Sequence, residues 1–399
     1  MKLLIRFIII LVLLSLAIVY FMFLDISKVM KITNHLPYFS YNNYFDEENQ
    51  SLQIESVQDN DNSHQHMNIN SNFHLYTSPK SKGMVEIVLA VVACGDRLDE
   101  TLVMLKSALT FTQAPLRFIV IADDDLMQSF SEKLKEWNTV LETKFEFQVL
   151  PLQFPADGAT PDEWRKLFKP CASQRLFLPA VLPEVDSLLY VDTDTMFLTP
   201  LEDVWQHLAK MNATQMAALS PEHEDRATGW YNRFARHPYY GPLGVNSGVM
   251  LMNLTRMRNF GWLEYVLPIY QEYKLKITWG DQDIINILFH FHPDKLYIYP
   301  CRYNYRPDHC MYMSVCESAE KSGVAVLHGN RGSFHSEKQP AFRAVYRAME
   351  EYQLGTDPYN NFLLPMRNYL DQTTNTNCGK VRRVFLKSAE KYISEIYRK

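Results

Sequence analysis

Asp192 and Asp194 close the segment Ser187-Leu188-Leu189-Tyr190-Val191-Asp192-Thr193-Asp194. The apolar run before them reads as a short buried strand. Side chains two apart on a strand face the same way, so the two carboxylates converge. Converging carboxylates repel each other and lose hydration unless a cation lies between them. Open α/β sheets bind ligands beyond the carboxyl ends of their strands, so the pair is expected to form a divalent-metal and phosphate site. A solvated turn after a strand is the competing account of an Asp-x-Asp triplet. Further groups bear chemistry. The turn Ala93-Cys94-Gly95 offers backbone amides for a nucleotide's base and ribose. Asp123-Asp124-Asp125 is either a second ligand-bearing acidic cluster or a helix N-cap. The Arg175 guanidinium suits sugar or phosphate oxygens. In Asn246-Ser247-Gly248 a short amide stands beside a glycine that permits close backbone approach. Asp281-Gln282-Asp283 opens a helical run, where acidic groups also complement the helix dipole.

These groups need elements to position them. Residues 85–92 form a nearly continuous apolar run, as expected of a strand covered on both faces. Helical periodicity over 98–111, a strand at 118–122, a helix at 126–137 and a strand at 145–150 follow. A helix at 175–182 then delivers the chain to the strand at 188–191. This alternation predicts an α/β fold with a mostly parallel, doubly wound sheet. Beyond Asp194 the pattern mixes, with strands at 216–219, 247–252 and 324–327 and helices at 256–273 and 281–289. No Gly-x-Gly-x-x-Gly follows the first strand, which argues against a dinucleotide-binding unit.

Composition narrows the class. The chain has 399 residues, 47% hydrophobic and 21% charged, enough for a full core. A net charge of −5 gives no basic footprint, so nucleic acid is not an expected partner. Residues 7–24 are uncharged and long enough to cross a bilayer, and Lys2 and Arg6 precede the apolar core. No small-residue cleavage site follows, so the run is expected to be a signal-anchor transmembrane helix. The organisation is then a cytoplasmic tail (1–6), the anchor (7–24), a polar, disordered lumenal stem (25–83) and a catalytic domain (84–399). Three of the six cysteines, Cys301, Cys310 and Cys316, crowd into one loop-like stretch, which suits disulfides in an oxidising lumen. Spacing does not select their pairing, and Cys94 at a strand end is expected to be a buried free thiol. The sequons at Asn212 and Asn253 agree with a lumenal, glycosylated face.

Eight segments together carry a family resemblance: Leu89-Ala-Val-Val-Ala-Cys-Gly95, Phe168-Lys-Pro-Cys-Ala-Ser-Gln-Arg-Leu-Phe-Leu-Pro179, Leu189-Tyr-Val-Asp-Thr-Asp194, Trp230-Tyr-Asn-Arg-Phe-Ala-Arg-His-Pro-Tyr-Tyr240, Gly244-Val-Asn-Ser-Gly-Val-Met250, Trp279-Gly-Asp-Gln-Asp283, Tyr303-Asn-Tyr-Arg-Pro-Asp-His309 and Leu327-His-Gly-Asn-Arg-Gly332. Residues 84–378 resemble glycosyltransferase family 8, and within it the glucoside xylosyltransferases that extend O-linked glucose on EGF repeats. The stem and span carry none of the resemblance.

The resemblance implies a GT-A type nucleotide-sugar-binding fold, UDP-xylose as donor, and Mn²⁺, with Mg²⁺ as the alternative, held by Asp192, Asp194 and His328. By the same analogy Ala93, Cys94, Arg175, Asn246, Ser247, Gly329 and Lys338 bind substrate. Asp281, Gln282 and Asp283 line the donor sugar and acceptor pocket as the catalytic group. The implied reaction is transfer of xylose, with retention and in α-1,3 linkage, to O-glucosylated EGF-repeat proteins such as Notch, by front-side attack. The setting implied is a single-pass type II protein of the Golgi or endoplasmic reticulum. One departure stands out. The family's Lys-Pro-Trp appears as Lys338-Gln-Pro-Ala-Phe342, at a different distance from His328. The rival expectations are a family-8 glucosyl- or galactosyltransferase with another lumenal acceptor, and a non-catalytic lumenal sugar-binding protein.

Overall fold

A computed structural model describes residues 85–141, 145–155, 161–167 and 171–397. The expected cytoplasmic tail, membrane anchor and stem lie outside the described residues. No helix among the described residues is long and apolar enough to cross a membrane.

Among the described residues nine strands form two sheets. In chain order they are β1 (Ile87–Ala93), β2 (Leu116–Ala122), β3 (Glu146–Pro151), β4 (Ser187–Val191), β5 (Thr195–Phe197), β6 (Ala217–Pro221), β7 (Val245–Asn253), β8 (Leu296–Ile298) and β9 (Val326–His328). Seven of them make one sheet in the order β3-β2-β1-β4-β7-β6-β8. Only β7 runs against the others: it is antiparallel to both β4 and β6, while the remaining pairings are parallel. The expected mostly parallel sheet is borne out.

The unbroken apolar runs follow from burial of both faces. Val88, Ala90 and Val92 of β1 and Leu188 and Tyr190 of β4 belong to one core. Their neighbours Ile87, Leu89, Val91, Leu189 and Val191 belong to a second core on the opposite face. Strand alternation thus sends successive side chains into two hydrophobic layers, and no position can be polar. The helices α1 (Leu98–Phe111) and α2 (Asp124–Val140) supply Met104, Leu105, Phe130 and Leu134 to the second core.

Other helices sit where expected with altered ends. The run expected at 256–273 is split at Gly261, whose φ of +76° ends α3 (Leu254–Phe260) before α4 (Trp262–Tyr273) begins. The helix α5 (Asp281–Phe291) starts at the acidic triplet, as anticipated. Arg175 does not open an α-helix. It lies inside the 3₁₀ turn Ala172–Phe177, entered through Cys171 at φ +64°.

A third core escaped the sequence pattern. It packs Met196 and Leu198, next to and within β5, and Leu327 of β9 against α6 (Pro340–Glu351) and α7 (Arg383–Tyr397). Within it β5 and β9 pair antiparallel, with Thr195 opposite His328. All six cysteines are oxidised, as Cys94–Cys171, Cys301–Cys316 and Cys310–Cys378. Cys94 is therefore not the free thiol expected; its partner at the entry to the 3₁₀ turn is 77 residues away and leaves no local signal. The Cys310–Cys378 bond closes 68 residues of chain around the third core. Replacing both cysteines by serine is expected to lower unfolding free energy by about 2–5 kcal/mol in chemical denaturation, with the β1–β4 sheet intact by circular dichroism.

Candidate active site

Asp192 and Asp194 stand on the turn between β4 and β5. The Asp192 N–H donates to Gly248 O of β7 at 2.9 Å, and Thr195 Oγ1 closes the turn onto Asp192 O at 2.9 Å. Because β9 lies beside β5 in the Thr195–His328 register, the imidazole arrives next to both carboxylates. His328 Nε2 is 3.3 Å from Asp194 Oδ1 and 3.8 Å from Asp192 Oδ2. The ligand atoms of all three residues lie within 4.8 Å of one another.

The imidazole is oriented for ligation. His328 Nδ1 is 2.8 Å from Asn304 Oδ1, and an amide oxygen can only accept, so Nδ1 carries the proton. Nε2 is thus the ring atom left facing the carboxylates, the arrangement that metal-binding histidines use. Space at this point is as restricted as polarity: a Cβ on Gly248 would lie 2.7 Å from His328 Nδ1 and 3.0 Å from Asp192 Oδ2. Two carboxylates and one imidazole of this tautomer fit a divalent cation of the Mn²⁺ or Mg²⁺ type.

The three groups open into a cavity of about 580 Å³. Arg175 lies in its wall, 3% exposed, with Nη2 2.5 Å from Asp281 Oδ2 and Nη1 3.4 Å from Asp192 Oδ1. Nη1 also donates to Ser247 O, and the guanidinium stacks 4.4 Å from the Tyr190 ring. The Arg175–Asp281 contact is an ion pair between two buried groups. Burial pushes the Asp281 carboxyl up to about 6, against the pull of Arg175.

The expected site residues divide into two sets. Cys94, Arg175, Asp192, Asp194, Asn246, Ser247, Asp281, Gln282 and His328 all line the one cavity. Ala93, Asp283, Gly329 and Lys338 do not. Ala93 is buried in β1 and presents its carbonyl to the Asp123 N–H at 3.2 Å. Asp283 points into the protein, accepting from Tyr231 Oη at 2.7 Å and from the Thr278 and Trp279 amides at 2.7 and 2.8 Å. It braces the loop before α5. The Gly329 N–H donates to Asp194 O at 2.7 Å, which fixes the acidic turn. Lys338 is exposed ahead of α6.

Asp123 does not cap α2 with its side chain; its carboxylate accepts from the Gly95 N–H at 3.0 Å and pairs with Arg165. The two sequon asparagines take local bonds: Asn212 Oδ1 accepts from Thr214 Oγ1 at 2.8 Å, and Asn253 Oδ1 accepts from the Arg256 N–H at 2.8 Å.

Sequence reasoning gave no role to Arg97, Glu222, Asn304 or Arg331. Arg97 lines the cavity and is held by the buried Glu100 at 2.6 Å. Arg331 lines it too, pairs with Asp308, and adopts φ +58°, a backbone conformation costly for a side chain of this size. Asn304 and Arg331 lie within recognised segments, but only tertiary proximity reveals what they touch.

Comparison with known proteins agrees with this geometry. Residues 64–328 match the family described as Glycosyl transferase family 8. The chain is 52% identical over 324 residues to Glucoside xylosyltransferase 2 of Mus musculus, across 78% of this chain and 72% of that protein. It is 51% identical over 331 residues to Glucoside xylosyltransferase 1 of Homo sapiens, across 80% and 74% of the two chains. The chain belongs to glycosyltransferase family 8 and is an enzyme of the glycosyltransferase class. Its fold is similar to the crystal structure of the galactosyltransferase LgtC in complex with donor and acceptor sugar analogs, with TM-score 0.51 and 16% identity over 69% of this chain and 100% of that one. That likeness bears on the fold alone, and it supports the GT-A type expected.

Two outcomes follow from the geometry. Gly248→Ala pushes His328 away from the carboxylates, so Mn²⁺ affinity measured by calorimetry is expected to fall at least about tenfold while the protein stays folded. Asp281 binds its proton more tightly folded than unfolded, so its contribution to stability is fully present below about pH 4 and is lost as pH rises through about 6. Urea titrations at pH 4.5 and 7.5 should show the unfolding free energy of Asp281→Asn gaining on that of the unsubstituted enzyme as pH rises. An unchanged difference would contradict the raised value.

Proposed function

We propose that this chain transfers xylose from UDP-xylose, with retention and in α-1,3 linkage, to O-linked glucose on EGF-like repeats. The observation that carries the reading is about half identity, over most of both chains, to two proteins named as glucoside xylosyltransferases. The cavity supports it, since its donor set suits a divalent cation and its wall offers the cations Arg97, Arg175 and Arg331 to a nucleotide sugar. The three disulfides support a lumenal setting, in the endoplasmic reticulum or Golgi, for a chain anchored by residues 7–24.

In this reading Asp192, Asp194 and His328 hold Mn²⁺. When bound, the ion supplies Lewis-acid charge where the UDP leaving group gains negative charge. Arg175 adds a guanidinium whose position is fixed by Ser247, Asp192 and Asp281. Arg97 and Arg331, on the cavity wall, are the cations proposed to meet the diphosphate, while Lys338, expected to bind substrate, is exposed ahead of α6. Asp283 is committed to Tyr231 and two backbone amides, and Asp281 is paired with Arg175. Neither carboxylate is poised as a nucleophile beneath a sugar ring, which favours front-side attack with a UDP oxygen accepting the acceptor's proton. Incubating an O-glucosylated EGF repeat with UDP-xylose and Mn²⁺ is expected to add one pentose by mass. Transfer of a hexose from UDP-glucose or UDP-galactose instead would reassign the donor, and no transfer with any of the three would overturn the reading.

A further inference from the structure

A chain of amides, buried except for the half-buried Gln282, runs from Glu222, just beyond β6, to the back of His328. Gln282 Nε2 donates to Glu222 Oε2 at 3.2 Å. Asn246 Nδ2 donates to Gln282 Oε1 at 3.1 Å, and Asn304 Nδ2 donates to Asn246 Oδ1 at 2.8 Å. His328 Nδ1 then donates to Asn304 Oδ1 at 2.8 Å. Every link has the same direction. Two backbone amides reinforce it: Ser247 N–H points at Gln282 Oε1 at 3.4 Å, and Gly248 N–H at Asn246 Oδ1 at 3.0 Å. Turning any one amide over would set N–H against N–H or oxygen against oxygen, and at the buried Asn246–Asn304 and Asn304–His328 links each lost bond costs the full desolvation of its groups.

A carboxylate at the head of the chain removes the remaining ambiguity, because it accepts and cannot donate. Glu222 is 1% exposed, as befits a fixed terminus. Burial raises its carboxyl above the usual range, and the nearby charge of Arg306 draws it back. Arg306 is itself fully buried, and its guanidinium grips both ends of the relay, bonding Pro221 O at 3.2 Å, Glu222 O, and Asn304 O at 3.2 Å.

We propose that Glu222 is a positioning residue for the metal site: it sets the direction of the Gln282–Asn246–Asn304 amide chain and so holds the His328 ring with Nδ1 on Asn304 and Nε2 toward the two carboxylates. The inference rests on the metal-dependent reading above and assigns it a distant determinant, just past β6 and across four hydrogen bonds. It also places Gln282, in the cavity wall, in the same chain as a metal ligand.

The test measures Mn²⁺ affinity of the full chain by titration calorimetry without donor or acceptor, so it is independent of which sugar is transferred. A glutamine at 222 can turn its N–H₂ toward Gln282 and release the direction, so Glu222→Gln is expected to weaken Mn²⁺ binding about threefold or more. In Asn304→Asp a carboxylate accepts directly from His328 Nδ1 and the relay ends there. In that background Glu222→Gln is expected to change the affinity by less than about 1.5-fold. Equal weakening in both backgrounds, or none in the first, would overturn the proposal. A measurement needing no variant guards against misfolding: ¹⁵N-histidine spectra of the unsubstituted chain should show a proton on His328 Nδ1, and a bare Nδ1 would refute the relay. Failure of the unsubstituted chain to bind Mn²⁺ would overturn the metal site itself, and is distinguishable from failure of the relay.

Discussion

The buried guanidinium of Arg175 is the contact on which the site depends. Within reach of its nitrogens lie Asp281 at the start of α5, Asp192 at the end of β4, and the Ser247 carbonyl in β7, and its face rests on Tyr190. Residues far apart in the chain are thereby held around one charge. A buried cation is tolerated only when several partners compensate it, and Arg175 has two carboxylates, a carbonyl and an aromatic face. Asp192 benefits in turn, since it stands beside a second carboxylate and would otherwise be repelled. The 3₁₀ turn that carries Arg175 is fastened to the end of β1 by Cys94–Cys171, so the disulfide that replaces the expected free thiol bears on the same contact.

How much of this could be read from the sequence depends on the range of the interaction. The β1 and β4 runs were legible because a strand covered on both faces must be apolar throughout, a constraint visible residue by residue. Asp192 and Asp194 were legible because strand periodicity alone aims them together. The break at Gly261 was not, since a positive φ at glycine is permitted by the sequence and chosen by the packing of α3 and α4. His328 as third ligand entered only through family resemblance: what brings it to Asp194 is the Thr195–His328 register, set across more than a hundred residues of chain. Glu222 and Asn304 were silent for the same reason, because a relay of amides has no spacing in the chain. Asp283 shows the opposite limit, for a recognised motif does not disclose which of two carboxylates, two residues apart on a helix, faces the cavity.

The boundary of the family match sharpens the last point. The matched region ends at residue 328, which is the metal-site histidine itself. The chain beyond it is not an appendage. Phe342, Val345, Tyr346 and Phe385, from α6 and α7, share one core with Met196 of β5 and Leu327 of β9. A three-residue strand has few ladder bonds of its own, so the position of β9 is set largely by what packs against it. The helices after residue 328 therefore add to the β5 ladder and the Tyr305 bonds in holding His328 beside Asp192 and Asp194. The Cys310–Cys378 bond ties those helices back to the loop that contains Asn304 and Arg306. Both sides of the imidazole thus depend on the same late segment: Nε2 through the placement of β9, and Nδ1 through the loop that presents Asn304. A site whose first two carboxylates are written into one strand end thus takes its imidazole from a strand packed against the C-terminal helices, which ties the site to the chain beyond the family match.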